Sequence, residues 1–418
     1  MTADAGDGRR LLCVYQHAPT PGAPGIYRHR LYLAELVRRG WAVDLVSTPI
    51  NYLTGTVPAP YDGRAYVRER LEGIDHHWVW ASRGIHASRG RRAANYLSFS
   101  ASALLRAATL ARPTVVLASS PPLTVGALGR LLAARFRRPW VLEVRDVWPE
   151  SAAAVGWLPE RSLAYRGLLR LSRSLATSAA KVVVPTPGLV GAVREHGAPV
   201  VDVVPGAVLD ARPSNDRREE ARASLGIGPD TRLFVYVGAI GVANGLDLLL
   251  DAVSLLPADT PAAFLLAGDG SARAQLAERV AAAGDERVTI LGAVSKERVG
   301  DLLAAADVCL HLLRPEPVFE TALPTKMLEY MGAHRPFLTT VRGLPREVAL
   351  AAAGGYAETP ETLAAELERW AAMSTEELQR RGDASYRYGA ARFGLESSVD
   401  LLESVLLDAA RRPGRRSR

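Results

Sequence analysis

Short apolar runs alternate with longer amphipathic stretches along most of the chain. In the first half, the apolar runs predict strands at 11–16, 42–47, 115–118, 140–144 and 181–184, with a helix at 27–39. In the second half, strands are predicted at 233–238, 263–267, 288–291 and 308–312, with helices at 246–255 and 272–283. This alternation is typical of parallel sheets that are covered by helices on both faces. The sequence therefore predicts an α/β protein with two doubly wound domains.

The length of the chain also favours two domains. With 418 residues it exceeds one typical domain, and two domains of roughly 200 residues would each bury a full core. A turn-rich polar stretch at 204–215 is suited to a linker between them. The basic residues 411–418 are predicted to form a disordered tail.

Composition indicates where the protein works. The first ten residues are polar, and no apolar run reaches the ~18 residues of a membrane span, so we expect a cytoplasmic protein. The two cysteines, Cys13 and Cys309, lie in apolar runs. They are predicted to be buried strand residues in a reducing compartment rather than a disulfide or metal set.

Charge is distributed unevenly between the two halves. Residues 1–205 carry 26 Lys and Arg against 14 Asp and Glu, whereas residues 206–418 carry 25 against 30. An excess of arginine in the first half is consistent with peripheral contact at the inner face of a membrane, or with an anionic acceptor; arginines scattered on solvated faces are the simpler alternative. Nucleic acid is not expected, because the arginines form no known binding motif.

The segment 316–336 is the most informative part of the sequence. It is predicted to be the end of a strand, a polar loop and a helix start at Pro324, with one cation, Lys326, and one carboxylate, Glu329. The free N–H groups and positive dipole end of a helix attract anionic oxygens, so a diphosphate would fit there. Lys326 would add a full charge, and Glu329, one turn later, could accept hydrogen bonds from a ribose diol. The alternative is a surface helix with an ordinary Lys/Glu pair.

Three other loops in the second half follow predicted strands. In open α/β sheets, ligands bind beyond the carboxyl ends of the strands. The glycine-rich loop 238–245 could bring backbone N–H groups close to phosphate, although a structural tight turn explains it equally well. The loops at 268–270 and 292–294 could read a planar base with backbone groups.

Two loops in the first half are candidates for acceptor binding or catalysis. The loop from His17 to Gly25 follows the first strand, and Arg145, Asp146 and Trp148 follow the strand that ends at 144. A carboxylate beside an arginine at the end of a strand is a plausible catalytic corner. Its alternative is a structural Arg–Asp ion pair.

Taken together, these loops resemble those of the GT-B glycosyltransferases of the large retaining family 4. The stretches 51–55 (NYLTG), 146–151 (DVWPES) and 323–329 (LPTKMLE) are most similar to its branch of bacterial surface-polysaccharide and amino-sugar transferases. The resemblance implies two Rossmann-like domains that face each other across a cleft. It assigns 1–205 to acceptor binding, 206–390 to donor binding, and 391–418 to a C-terminal helix and basic tail that pack toward the first domain.

The resemblance also implies roles for individual residues. Donor-binding positions are Gly25, Gly238, Gly241, Asn244, Gly268, Gly292, Ala293, Val294, Glu320, Thr321, Ala322, Leu323, Thr325, Lys326 and Glu329. Acceptor-side positions are His17, Arg145, Asp146 and Trp148, and the catalytic candidates are Asp146, Lys326 and His17. No metal is implied, because Lys326, the helix dipole and loop N–H groups would stabilise the leaving diphosphate.

The sequence departs from the family pattern at several positions. The family usually places a glutamate eight positions before Glu329, where this chain has Thr321, with Glu320 one position earlier. Asn244 stands where a lysine is common, and the usual N-terminal glycine pair is reduced to Pro24-Gly25. Neither Glu320 nor Thr321 therefore reproduces the first glutamate of the family pattern at its usual position.

The expected function is transfer of a sugar from a nucleotide-diphosphate sugar, with UDP or GDP as nucleotide and retention at the anomeric carbon. The acceptor would be a lipid-linked or surface glycan or a small natural-product precursor, and no cofactor is expected. Two alternatives remain open: a sugar-nucleotide 2-epimerase of the same fold, and a non-catalytic sugar-nucleotide-binding partner. A dinucleotide-dependent oxidoreductase is disfavoured, because no G-x-G-x-x-G motif opens either half.

Overall fold

The structure, a computed structural model, describes residues 8–23, 25, 27–154 and 157–412. The chain folds into two compact units. Unit 1 contains the residues up to Pro205 together with those from Leu395 onward, and unit 2 runs from Gly206 to Gly394. Within the described ranges, no helix combines the length and the apolar character that crossing a membrane requires. The predicted disordered tail falls largely on 413–418, outside the described residues.

Unit 1 is built on one eight-stranded sheet. Its strands are β1 (Arg10–Val14), β2 (Ala42–Ser47), β3 (Tyr66–Leu71), β4 (Ile74–Val79), β5 (Val115–Ser120), β6 (Trp140–Val144), β7 (Lys181–Val184) and β8 (Val201–Val203). Its helices are α1 (Arg28–Arg38), α2 (Arg89–Ala107), α3 (Leu123–Phe136), α4 (Glu150–Ala154), α5 (Leu163–Ser178), α6 (Leu189–Glu195) and α16 (Leu395–Arg411). The strand order is β3-β4-β2-β1-β5-β6-β7-β8, and every pair is parallel except β3 with β4.

Helices cover both faces of this sheet. On one face, Phe99 of α2, Leu128 of α3 and Leu175 of α5 pack into a core with strand residues such as Val116 and Leu142. The α3 helix approaches β5 so closely that a Cβ at Gly129 would lie 2.4 Å from Cβ of Ala118. On the other face, α1 and α16 pack against each other, α1 over β2 and β4 and α16 over β5 and β6. The Trp41 indole N–H donates to Glu403 of α16 at 2.8 Å, which holds the final helix on this side of the unit.

Unit 2 is built on one six-stranded parallel sheet. Its strands are β9 (Arg232–Val237), β10 (Ala262–Ala267), β11 (Val288–Leu291), β12 (Val308–His311), β13 (Phe337–Thr339) and β14 (Gly355–Tyr356). Its helices are α7 (Asn215–Ser224), α8 (Leu246–Ser254), α9 (Arg273–Ala283), α10 (Lys296–Ala305), α11 (Pro317–Glu320), α12 (Thr325–Gly332), α13 (Leu344–Ala351), α14 (Pro360–Ala371) and α15 (Thr375–Phe393). The strand order is β11-β10-β9-β12-β13-β14.

The predicted fold class is confirmed, and the differences concern short or polar elements. The hairpin β3–β4 was not predicted because its strands, YVRERL and IDHHWV, each contain three consecutive polar residues and so form no apolar run. Strands β8, β13 and β14 have only three, three and two residues, too few for a pattern. The predicted helix start at Pro324 is corrected by one position: α12 begins at Thr325, and Pro324 precedes it in an extended conformation.

The packing of α12 orients the residues that the sequence analysis singled out. Met327, Leu328, Tyr330 and Met331 are buried in the core of unit 2. The Tyr330 hydroxyl donates to the Leu310 carbonyl of β12 at 3.0 Å, which ties the helix to the sheet. Positions three apart share one face of a helix, so Lys326 and Glu329 both lie on the side away from this core.

Candidate functional site

The candidate site in unit 2 lies where the strand order reverses. In the sheet, β10 and β11 lie on one side of β9, and β12, β13 and β14 lie on its other side. The chain therefore leaves β9 and β12 toward opposite sides of the sheet, and the loops after these two strands diverge. Such a switch point is the usual ligand crevice of an open parallel sheet. The loop after β12 is tied to the loop after β9 by a hydrogen bond from the Arg314 N–H to the Ala243 carbonyl, 2.9 Å long.

The backbone of the glycine loop after β9 packs against the backbone of the loop after β10. A Cβ at Gly268 would lie 1.7 Å from the Gly238 carbonyl oxygen, so the loops after β9 and β10 can touch only because Gly268 has no side chain. The Ile240 N–H donates to the Asp269 carbonyl at 2.9 Å. The Asn244 amide oxygen accepts from the Gly241 N–H at 3.1 Å, so this side chain holds the loop in shape.

Lys326 lies directly over this loop. A Cβ at Gly238 would come within 2.8 Å of the Lys326 Nζ atom, and Gly238 has a φ of +151°, a conformation that L side chains rarely adopt. The Lys326 ammonium donates to the Tyr236 hydroxyl at 3.1 Å and sits 4.2 Å from the centre of the tyrosine ring. The hydroxyl in turn donates to the Ala239 carbonyl at 2.6 Å. Tyr236 therefore fixes the ammonium beside the backbone of the glycine loop.

The charge on Lys326 is not balanced by a carboxylate within ion-pair distance among the described residues. Desolvation lowers the pKa of Lys326 to about 8, while Glu329 acts in the opposite direction. Burial and the charge of Lys326 also lower the pKa of His311, on β12, to about 3, so that this histidine adds no second cation. An ammonium without an ion-pair partner, at the start of α12, is a site for an anion.

Glu329 lies one turn after Lys326 on the same face of α12. It reaches solvent, yet the surrounding protein desolvates its carboxylate and raises its pKa, against the opposing effect of Lys296 and Lys326. Desolvation makes the ionised carboxylate unfavourable unless it accepts hydrogen bonds. Glu329 is therefore suited to accept hydrogen bonds from a ligand diol.

The remaining donor-side positions lie in the loop after β11 and in the segment from the end of α11 to the start of α12. Gly292 follows β11, and a Cβ there would lie 3.5 Å from the Arg273 guanidinium. Ala293 and Val294 continue the same loop. Glu320 ends α11, and its carbonyl oxygen would lie 2.4 Å from a Cβ at Gly343. The connection from α11 to α12 is made by Thr321, Ala322, Leu323 and Pro324, and Thr325 is the first residue of α12.

Sequence reasoning missed Tyr236 and Arg314. Tyr236 is the tyrosine of β9, and its hydroxyl reaches the glycine loop. The available signal in the sequence was a tyrosine two residues before Gly238. Arg314 follows β12 and forms an ion pair with Asp247 at 2.9 Å, so its charge is locally balanced. Lys326, in contrast, forms no ion pair with a carboxylate among the described residues.

In unit 1, His17 occupies the corresponding switch point between β1 and β5. Its ring centre lies 4.7 Å from that of Tyr52 and 6.2 Å from that of Tyr96. Burial lowers the pKa of His17 to about 3, and the positive charges of Arg145 and His86 act in the same direction. His17 is therefore neutral near pH 7, and its Nδ1 atom has no partner among the described residues.

The structural Arg–Asp pair considered for Arg145 and Asp146 is not present in the described part of unit 1. Arg145 donates to the Pro121 carbonyl at 2.8 Å and lies 4.9 Å from the Tyr15 ring centre. Asp146 has no ion-pair partner within the described ranges, and Trp148 packs against the core of unit 1. The structure therefore brings His17 and Arg145 into electrostatic contact and leaves Asp146 available.

Two further sequence motifs of unit 1 make local contacts within the unit. The Asn51 amide oxygen accepts from the N–H groups of Leu53 and Thr54, at 2.8 and 3.1 Å, and so forms the turn that places Tyr52 beside His17. Gly25 has a φ of +155°, and a Cβ there would lie 3.1 Å from Cβ of Pro19. Pro24, its partner in the predicted pair, lies outside the described residues. Within the described ranges, no three His, Cys, Asp or Glu side chains are grouped so that they could hold a metal ion.

Comparisons with known proteins identify a glycosyltransferase domain in each half of the chain. Residues 22–207 match the family described as "Glycosyl transferase 4-like domain". Residues 231–372 match the family described as "Glycosyl transferases group 1". The predicted resemblance is thereby confirmed at the level of glycosyltransferase domains.

Among curated proteins, the chain is similar to the "Probable glycosyltransferase WbjE" of Pseudomonas aeruginosa, with 27% identity over 233 residues. This alignment covers 55% of the chain and 58% of that relative. The chain spans 29% to 58% of the length of the curated relatives that it matches.

Solved structures match over nearly the whole chain. Sucrose-phosphate synthase from Thermosynechococcus elongatus has a TM-score of 0.71 and 17% identity, covering 95% of this chain and 98% of that chain. HepE from Anabaena, solved in complex with UDP and glucose, has a TM-score of 0.68 and 17% identity, covering 96% and 99%. These likenesses confirm the expected GT-B fold.

Proposed function

We propose that this chain, which joins two glycosyltransferase domains in a GT-B fold, transfers a sugar from a nucleoside diphosphate sugar to an acceptor. The observation that carries the proposal is the position of Lys326: an unpaired ammonium held by Tyr236 over the glycine loop at the switch point of unit 2. The cation, the loop N–H groups and the start of α12 all attract the same kind of ligand, a diphosphate.

The chemistry of the leaving group explains why these features belong together. When the bond between the anomeric carbon and the diphosphate breaks, negative charge grows on the diphosphate oxygens. A fixed cation and fixed N–H groups stabilise that charge more in the transition state than in the ground state. The lowered pKa of Lys326 reflects desolvation, and a bound dianion would raise it again.

The rest of the donor would lie along the neighbouring loops. Glu329 is proposed to accept hydrogen bonds from the ribose diol, since its carboxylate is desolvated and one turn from Lys326. Gly292, Ala293 and Val294 are proposed to lie beside the base. Glu320 and Thr321, at the end of α11, are candidates for contacts with the donor sugar.

Unit 1 is proposed to bind the acceptor, with His17, Arg145, Asp146 and Trp148 as the side chains involved. A neutral imidazole has one ring nitrogen that accepts a hydrogen bond, and His17 is proposed to accept one from an acceptor hydroxyl. Transfer with retention would proceed by attack on the donor face from which the diphosphate leaves. In that reaction, a diphosphate oxygen takes the acceptor proton, and neither a protein nucleophile nor a metal ion is needed.

The donor is proposed to be a UDP-sugar before a GDP-sugar, because HepE was solved with UDP and glucose. A thermal-shift panel with UDP, GDP and dTDP tests this, since a ligand at 100 times its dissociation constant adds ~2.7 kcal/mol to the free energy of unfolding. Incubation with the preferred donor, with and without candidate acceptors, then tests transfer. Stabilisation by none of the nucleotides would contradict the proposal, and loss of donor without any acceptor would favour the epimerase alternative.

A further inference from the structure

Three neighbouring helices of unit 1 form a surface with unusual charge. Helices α2, α3 and α5 pack side by side over one face of the sheet. Their sequences contain nine arginines and no aspartate or glutamate. We call this surface the arginine layer. The carboxylate closest in sequence is Glu160, three residues before α5, and Arg161 follows it directly.

Most of these arginines point into solvent without a counter-ion. The exposed members are Arg89, Arg91, Arg130, Arg135, Arg166, Arg170 and Arg173. Arg92 and Arg106 are half-buried and lie over the rings of Trp157 and Tyr66, at 4.5 and 4.3 Å. Within the described ranges, none of the nine forms an ion pair, whereas exposed arginines elsewhere in unit 1, such as Arg68 and Arg83, pair with Asp75 and Asp62.

Large apolar side chains are exposed among the arginines. Leu105 on α2 is 77% exposed and Leu163, the first residue of α5, is 82% exposed. Leu97 on α2, Leu131 on α3 and Trp157, just before α5, are also exposed. Single exposed leucines are normal, but this surface combines five apolar side chains with seven unpaired cations.

The opposite face of the same sheet has the contrary character. Helices α1 and α16 carry five carboxylates, Glu35, Glu396, Asp400, Glu403 and Asp408. Arginines on that side are neutralised: Arg39 pairs with both Asp400 and Glu403, at 2.6 and 3.0 Å. Unit 1 is therefore electrostatically polarised across its sheet, with the positive side on the arginine layer.

We propose that the arginine layer binds the surface of an anionic lipid bilayer. Arginines are attracted to anionic headgroups, while exposed leucine and tryptophan side chains can enter the boundary between headgroups and acyl chains. A nucleic acid would use the cations but leave the leucines exposed, and Trp157 is the one exposed aromatic available for base stacking on this surface of the described residues. The combination of charges and apolar side chains therefore favours a bilayer.

The arginine layer lies close to the edge of the sheet that carries His17. The arginine-layer helices follow β4, β5 and β6 in the chain, so they begin near the carboxyl edge of the sheet. His17 follows β1 at the same edge. A bilayer on this surface would thus approach the edge of unit 1 that carries the proposed acceptor residues.

Sedimentation of the full-length protein with vesicles tests the proposal. We expect binding to vesicles of phosphatidylcholine with phosphatidylglycerol, and much weaker binding to phosphatidylcholine alone. Binding should be lost in about 1 M NaCl, where the Debye length falls to about 3 Å. The assay contains neither donor nor acceptor, so its failure would leave the proposed transferase function untouched.

Two sets of variants separate the charges from the leucines. Arg91→Gln, Arg130→Gln and Arg170→Gln together should weaken binding to the anionic vesicles about a hundredfold, at about fivefold per arginine. The matched control removes three exposed arginines elsewhere, Arg38, Arg68 and Arg387, and should bind like the wild type. Leu97→Ser with Leu105→Ser should also weaken binding, whereas Leu401→Ser with Leu350→Ser, exposed leucines on other helices, should not.

Three results would overturn the proposal: equal binding to both kinds of vesicle, wild-type binding by the triple arginine variant, and equal weakening by the control set. Binding to a duplex oligonucleotide with no binding to either vesicle would instead assign the surface to nucleic acid. All the replaced side chains are exposed, so every variant is expected to fold. Circular dichroism of each variant checks this and so distinguishes lost binding from lost folding.

Discussion

The ammonium of Lys326 lies 3.1 Å from the hydroxyl of Tyr236, although 90 positions separate the two residues in the chain. Tyr236 ends its hydrogen-bond chain on the Ala239 carbonyl, so a single tyrosine links the cation to the glycine loop. The lysine side chain consequently has a fixed position before any ligand arrives. Fixed charges cost no reorganisation when a leaving group develops its own charge.

Replacing Lys326 should reduce turnover more than stability. We expect Lys326→Ala to lower kcat about 10²–10³-fold, the usual effect of removing one group that stabilises developing charge. Lys326→Arg should retain partial activity, since it keeps the charge but changes the geometry. Steady-state kinetics at saturating acceptor, with thermal unfolding of the same proteins, measures both effects. Wild-type turnover in the alanine variant would refute the diphosphate site.

Gly238→Ala should displace the Lys326 ammonium but leave the lysine side chain itself unchanged. The added Cβ would lie 2.8 Å from the Lys326 Nζ atom, so the ammonium must move away from the loop. We expect at least a tenfold loss of kcat, because a displacement near 1 Å at a reacting group costs about that much or more. Gly226→Ala is the control, since Gly226 also has a positive φ, +69°, but no atom within 4 Å of its Cβ position. If Gly226→Ala and Gly238→Ala lost kcat equally, backbone strain would explain the effect and displacement of Lys326 would not.

Glu329→Ala should weaken donor binding and leave the fold intact. Hydrogen bonds to a charged group contribute ~1.5–3 kcal/mol, which corresponds to a roughly ten- to 150-fold higher Kd for the donor. Calorimetric titration of the nucleotide measures this directly. Glu278→Ala, an exposed glutamate on α9, is the control and should bind like the wild type. An unchanged Kd in Glu329→Ala would remove the assignment to the ribose.

The activity should fall as the pH rises through about 8. Lys326 carries its charge below its pKa, which desolvation lowers from 10.5 to about 8. A profile of kcat/KM for the donor reports groups of the free enzyme and should show this loss, while the kcat profile should fall at a higher pH because the bound diphosphate stabilises the ammonium. In Lys326→Arg the descending limb should disappear from the measured range. A kcat/KM that is flat to pH 10 in the wild type would contradict the role of Lys326.

The same pKa shift has the opposite effect on the unliganded fold. The folded-state pKa of Lys326 lies below that of the unfolded chain, so the unfolded state binds more protons between pH 8 and 10.5. The contribution of Lys326 to the free energy of unfolding therefore rises with pH across that window.

Turnover should survive chelation of divalent cations. A metal-dependent transferase needs carboxylates to hold the ion that bridges the diphosphate. The sequence has no Asp-x-Asp pair at a strand end, and Lys326 is proposed to stabilise the diphosphate in place of such an ion. Turnover in excess EDTA should match that of the untreated enzyme. Complete loss, restored by magnesium or manganese, would contradict the proposed mechanism.

Much of the candidate site was predictable because it depends on local rules. Glycines at strand ends, a proline before a helix, and a lysine and a glutamate three residues apart are read directly from the chain. Their spacing predicted that Lys326 and Glu329 share a face of α12, and the burial of Met327, Leu328 and Tyr330 has the same periodic origin. The alternation of strands and helices predicted the two parallel sheets for the same reason.

Only the tertiary structure decided which distant residues meet. Tyr236 could not be paired with Lys326 from the sequence, nor Arg145 with the Pro121 carbonyl rather than with its neighbour Asp146. The arginine layer likewise exists only because α2, α3 and α5, separated by strands in the chain, pack on one face of the sheet. Hydrophobic periodicity determines the elements and the faces they bury. The side chains that meet between elements are set by strand order and close packing, which depend on contacts across the whole sheet.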